Sequence, residues 1–180
     1  MCHFSATRLC AQCIRGERKM PSRNAAEDEA ESLFRRVKAT LIRRLGRGPL
    51  SSDTIDAQGR ELFGSRYGGS GGQDDIKLES GRFYVVNTSY TRNSPGFHWV
   101  AIAVTRTGIV HMYDSYARSG ARILSRLASR VRKNGGSGRR VSTSDTSDKE
   151  QMMNSAVCGH LSLAWLVVVR DLGLRQALLI

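Results

Sequence analysis

The run from Leu161 to Val169, broken only by the small polar Ser162, is apolar nearly all round a helix and follows directly on Cys158-Gly159-His160. A helix apolar on every side has to be buried. The run is far short of the roughly 20 residues needed to cross a bilayer, so no membrane partner is expected and a core helix is. The remainder of the chain must wrap around it. Whatever stands at its first turn, here Cys158, is then held rigidly by the surrounding packing.

The chain has 180 residues, 40% apolar and 24% charged, enough for one domain with a real core. Residues 1–24 are basic without apolar periodicity and read as a mobile extension, which leaves 25–180 as the domain. From Ala25 to Leu45 the apolar residues Ala30, Leu33, Phe34, Val37, Leu41 and Leu45 recur at helical spacing, and Gly46 ends the run. Ser52-Asp53 begins a shorter helix that Gly64 stops, and the glycine-rich Tyr67 to Gln73 reads as a loop. Phe83 to Asn87, His98 to Val104 and Ile109 to Asp114 are strand-like, with a short fourth strand at Val141 to Ser144. The second of these is nearly all apolar and is expected at the sheet centre with both faces covered. Arg118 to Lys133 reads as one helix with Ile123, Leu124, Leu127 and Val131 on its inner face. The expected class is α+β, a central mixed or antiparallel sheet packed on a buried helix that carries Cys158.

The formal charge of +12 is unusual, and of 28 basic residues only five are lysine. Arginine's planar fork suits phosphate oxygens, so a polyanionic partner is expected, with arginine-rich composition or solubility as the plainer alternative. Arg118, Arg122, Arg126 and Arg130 recur every four residues. Like charges at that spacing repel on a solvated helix and become favourable against an anion, which makes these four the candidate nucleic-acid contacts. Cys2, Cys10, Cys13 and Cys158 form no evenly spread disulfide framework, and the N-terminal run lacks a signal-type apolar stretch, so a reducing intracellular setting is expected. Cys2 and His3 are adjacent and no second spaced pair accompanies Cys10 and Cys13, so no metal centre is expected.

Cys158 at a helix start has the setting of a nucleophile, because the partial positive charge and free N–H groups of a first turn lower a thiol pKa. A small buried core residue is the bland alternative. His98 and Asp114 lie at opposite ends of a predicted hairpin, which brings them to one open end. Direct pairing needs a three-residue loop closed by Val104 and Gly108, whereas a one-residue slip would put the two side chains on different faces. If paired, Asp114 orients His98, and His98 takes and returns the thiol proton. Gln151, seven residues before Cys158, can donate to an oxyanion together with the Cys158 backbone N–H. Gly159 allows close approach either of substrate or of packing against the helix start. Trp99 either shields the imidazole or belongs to the core.

His98-Trp99 opening a strand, Tyr113-Asp114-Ser115 ending the next, and Gln151 before Asn154-Ser155-Ala156-Val157-Cys158-Gly159 together resemble the adenovirus-type cysteine proteases, adenain, and more distantly the SUMO-specific proteases. Leu45-Gly46-Arg47-Gly48-Pro49 and Val85-Val86-Asn87-Thr88 are similar as well, so the resemblance spans roughly Leu45 to Arg170. It implies a papain-like fold in the permuted His, Asp, Cys order. It also implies a viral or virus-like endopeptidase that processes virion precursors after small or glycine residues, located in the virion and host nucleus, with DNA as activating cofactor. Asp114 stands where the adenoviral enzyme has Glu. Arg140 stands where that enzyme has the cysteine accepting a disulfide-linked peptide, so that cofactor is not expected. The runner-up enzyme is a deubiquitinase or deSUMOylase, and some acetyltransferases share the His, acid, Cys order. A nucleic-acid-binding structural protein with a degenerate protease domain is the non-enzyme alternative.

Overall fold

The computed structural model describes residues 23–93, 97–134, 141–143, 151 and 155–180. The expected extension is outside it save for its last two residues, and so are Cys2, His3, Cys10, Cys13 and Arg140. Helix α1 covers Arg23–Leu45 and buries Ala30, Phe34 and Leu41, with Leu33, Val37 and Leu45 packed beside them. Gly46 closes it in the left-handed region at φ 82°, donating to the Ile42 carbonyl at 2.9 Å. Helix α2 covers Ser52–Phe63, and its cap is Ser51, one residue before the expected pair, accepting from the Thr54 N–H at 3.2 Å. Gly64, at φ 52°, stops it as expected.

The glycine-rich segment is a strand rather than a loop. Tyr67–Gly71 forms β1, which runs parallel to β2, Phe83–Asn87. At Gly68 a ring occupies the space of a side chain, since a Cβ there would enter the Tyr84 ring, and at Gly59 of α2 the Tyr67 ring does the same. The buried Asp56 carboxylate ties β1 to α2, accepting from Tyr67 Oη at 3.1 Å and from the Ser70 N–H and Oγ, each at 2.8 Å.

β3, Trp99–Val104, and β4, Val110–Tyr113, continue antiparallel, and β5, Val141–Thr143, pairs parallel with β4. The result is a five-stranded mixed sheet in sequential order, so the class is α+β. β3 sits at the centre with all six residues buried. Alternation sorts its side chains: Trp99, Ala101 and Ala103 join one core cluster, and Val100, Ile102 and Val104 the other. The first cluster is built on α5, Cys158–Asp171, with α1, α2 and the short α6, Leu174–Ala177, around it. Among the described residues no helix is long and apolar enough to cross a membrane.

Two expectations are corrected. The β3–β4 hairpin pairs Val104 with Val110, and Thr105 N–H donates to the Ile109 carbonyl at 2.9 Å, so the loop is Arg106-Thr107-Gly108. Gly108 takes φ 86° and puts the turn one position later on each strand than expected. Extending this register sets Val100, not His98, opposite Asp114. The shift is even, so His98 and Asp114 keep to one side of the ribbon and meet diagonally. Second, the Arg118–Lys133 helix is two pieces, α3 Gly120–Ile123 and α4 Ser125–Asn134, separated at Leu124 with ψ 45°. Leu124, Leu127, Ala128 and Val131 are buried in the second cluster, and the break lets Leu124 join the others against the sheet.

Gly68→Ala is expected to destabilise the fold by about 1–3 kcal/mol, since the Tyr84 ring it would meet is 1% exposed and cannot swing away. A lowered urea midpoint at unchanged slope is the measurement.

Candidate active site

Cys158 is the first residue of α5, preceded by Val157, which offers no side-chain cap. The N–H groups of the first turn are thereby left to the sulfur and to anything bound beside it. Ser162 Oγ donates to the Trp99 carbonyl at 3.2 Å, which pins this turn to the entry of β3, where His98 stands. Gly159 serves packing: a Cβ there would crowd Leu50 and Ile55 at 3.2 Å. Of the two roles considered for it, Trp99 takes the core one; it also lines the cleft, with Nε1 donating to the Leu50 carbonyl at 3.0 Å.

His98 and Asp114 are both buried, and His98 Nε2 pairs directly with Asp114 Oδ1. Nδ1 is then the ring nitrogen left for Cys158. It is buried and closes no hydrogen bond of strict geometry, although the two side chains are near enough to shift each other's protons. Catalytic pairs often tighten only with substrate in place. Burial alone would lower the His98 pKa; the hydrogen bond and charge of Asp114, with Cys158, outweigh it, and the net shift is upward. Burial alone would raise the Cys158 thiol; His98 and the backbone groups of Trp99 and Gly159 reverse that, and the thiol is held below its ordinary range. Asp114 is likewise held low, His98 and Arg118 overcoming its desolvation.

Gln151 lies within this arrangement. Its Oε1 accepts from Ser115 Oγ at 2.7 Å, its backbone N–H donates to the Ser115 carbonyl at 3.1 Å, and Nε2 donates to the Ser155 carbonyl. One N–H of the amide is used by Ser155, and the second has no partner among the described residues. Ser115 was not singled out from the sequence for this duty. Its only signal there is adjacency to Asp114, yet it fixes which end of the Gln151 amide is the donor. Gln151, His98, Trp99 and Cys158 line a cleft of about 540 Å³ whose walls include Gly71, Gly72, Ser155, Ala156, Arg92 and Tyr116.

The arginines at four-residue spacing do not form one stripe. Arg118 Nε donates to Asp114 Oδ2 at 2.7 Å, inside the site. Arg126 pairs with Asp74 at 2.7 Å, and Arg130 donates to the carbonyls of Gln73, Asp74 and Ile76. Arg122 is exposed and has no ion pair among the described residues. Arg126, Arg130 and Lys133 nonetheless border a shallow recess of about 320 Å³ with Ser125, Ser129 and one carboxylate, Asp74.

No family model matches the chain, and no curated protein matches it either. What the site can do therefore rests on its own geometry.

A thiol pKa lowered by His98 implies thiolate at pH values where a free cysteine is protonated, and that advantage disappears as pH falls through the lowered value. Iodoacetamide labelling of Cys158 near neutral pH, resolved by peptide mapping from Cys2, Cys10 and Cys13, is expected to slow about tenfold in His98→Ala, which loses the partner that favours the thiolate.

Proposed function

We propose that the chain is a cysteine endopeptidase of papain-like topology in the His, Asp, Cys order. The observation that carries this is the convergence of Cys158, His98 and Gln151, from separate segments, at one open cleft, with Asp114 buried behind His98 and paired to it. The Cys158 thiolate attacks the peptide carbonyl. The Cys158 N–H and the free N–H of Gln151 Nε2 receive the developing oxyanion. His98, held by Asp114, gives its proton to the leaving amine and then takes one from the water that releases the acyl group. Gly71, Gly72, Ser155 and Ala156 present little side chain to the cleft, which suits an extended peptide with small residues at the bond.

The finer reading follows the adenain resemblance: a viral or virus-like maturation protease acting on virion precursors and stimulated by DNA. The charge of +12 and the basic recess on α4 support an anionic partner. Since Arg118, Arg126 and Arg130 are engaged within the chain, exposed Arg122 and Lys133 are its first contacts.

Incubation with glycine-containing peptides, with and without duplex DNA, tests both parts. Cleavage is expected, abolished by Cys158→Ala and reduced roughly 10²–10³-fold by Gln151→Ala. Absence of cleavage under every condition, with Cys158 labelling no faster than a free thiol, would remove the enzyme reading. Arg122→Ala plus Lys133→Ala is expected to leave DNA-free cleavage unchanged while lowering DNA affinity and the steepness of its salt dependence. Transfer of the acyl group to an amine in preference to water would instead identify an acyltransferase.

A further inference from the structure

We propose that Arg118 is a positioning residue of the site, clasping the second oxygen of Asp114 so that the first stays aimed at His98. This rests on the cysteine-protease reading. The Asp114 side chain is 0% exposed, and a buried carboxylate with one oxygen unsatisfied is both costly and free to rotate. Here Oδ1 takes His98 Nε2 and the Tyr116 N–H at 3.2 Å, while Oδ2 takes Arg118 Nε at 2.7 Å, and the second arm of the Arg118 fork reaches Oδ1 at 3.5 Å. Arg118 and His98 thus grip one carboxylate between them, and its plane is fixed.

The backbone is bent to allow this. Ala117 takes φ 55°, the left-handed region that a residue with a Cβ seldom occupies, and its N–H donates to the Asp114 carbonyl at 2.9 Å. That reversal folds Arg118 back over the turn. Its guanidinium lies 4.9 Å from the Tyr116 ring, and that ring lies 4.9 Å from the His98 imidazole. Tyr116 therefore backs the imidazole while Arg118 backs Tyr116. The strained Ala117 conformation is kept in a turn whose contacts lead to the site, and strain retained in this way commonly marks function.

Arg118 also divides the charge of Asp114 between two partners. Among the described residues, the titratable and charged groups around His98 are Asp114, Tyr116 and Arg118 from the turn after β4, Cys158 from α5 and, across the cleft, Arg92. Arg118 opposes a proton on His98 and favours the thiolate. Its removal leaves both protons held more tightly.

The experiment is the pH dependence of Cys158 alkylation and of peptide kcat and KM, on the full chain, for wild type, Arg118→Gln and Arg118→Lys. Arg118→Gln is expected to raise the alkylation midpoint by about half to one unit and to lower kcat roughly tenfold at little-changed KM. Arg118→Lys keeps the charge without the fork and is expected to restore the midpoint and part of kcat. A wild-type midpoint and kcat in Arg118→Gln, or no recovery in Arg118→Lys, would overturn the proposal. If Arg118→Gln does not fold, a wild-type kcat in Arg118→Lys overturns it and a several-fold loss at unchanged KM and midpoint supports it. Failure of the protease reading has a separate signature: the wild-type Cys158 itself labels as an ordinary thiol.

Discussion

The packing of α5 against the sheet is the constraint on which the rest of the molecule depends. Every residue from Cys158 to Val169 is buried, so the helix has no freedom to rotate or slide without opening voids. Trp165 lies at its middle, stacked on Tyr113 at 5.3 Å and donating through Nε1 to the Ala177 carbonyl at 2.8 Å. Phe34 of α1 meets the same Tyr113 edge-on at 6.3 Å. Three aromatic rings from α1, β4 and α5 are thus locked together, and Tyr113 is the residue directly before Asp114. The core that places the sulfur also places the carboxylate.

The site shows how electrostatic effects of opposite sign are resolved by geometry. Desolvation is the largest influence on His98, Asp114 and Cys158 alike, and for each it opposes the charged form. The net shifts nonetheless favour the charged forms, because the groups are arranged in a chain from Arg118 through Asp114 and His98 to Cys158. Removing a middle member strands its neighbours in a dry environment, whereas removing an end member changes how tightly protons are held.

Much of this was legible in the residues, and the failures have identifiable causes. The apolar run behind Cys158 could only be a buried helix, and the all-apolar strand before Thr105 could only be central. His98, Asp114, Gln151 and Cys158 were readable because their types and order limit what they can do together. β1 was missed because Tyr67-Gly68-Gly69-Ser70-Gly71 has turn composition; its strand character comes from parallel pairing with β2, with the Tyr84 ring filling the space beside Gly68, a tertiary fact. The hairpin register turned on which residue took the left-handed position, and a one-place error there became two in the pairing. Arg118 fitted a four-residue periodicity shared with Arg122, Arg126 and Arg130. Only the reversal at Ala117 and the break at Leu124 separate it from them, and neither has a signature in residue type.

Gln73 links parts of the molecule that are otherwise far apart in the chain. Its Oε1 receives the Arg126 and Leu127 N–H groups at the head of α4, at 3.1 and 3.5 Å, while Nε2 donates to the Thr88 carbonyl at 2.9 Å just past β2. Its backbone N–H donates to the Ser89 carbonyl at 2.9 Å. One buried amide thereby rivets the outer helix to the bank of the cleft formed by Gly72 and Ser89. The opposite lip, from Pro49 to Ser52, is tied to the same side, the Ser52 carbonyl accepting from Ser70 Oγ at 3.2 Å and Arg92 pairing with Asp53 at 2.6 Å, so both banks of the groove are held in one frame.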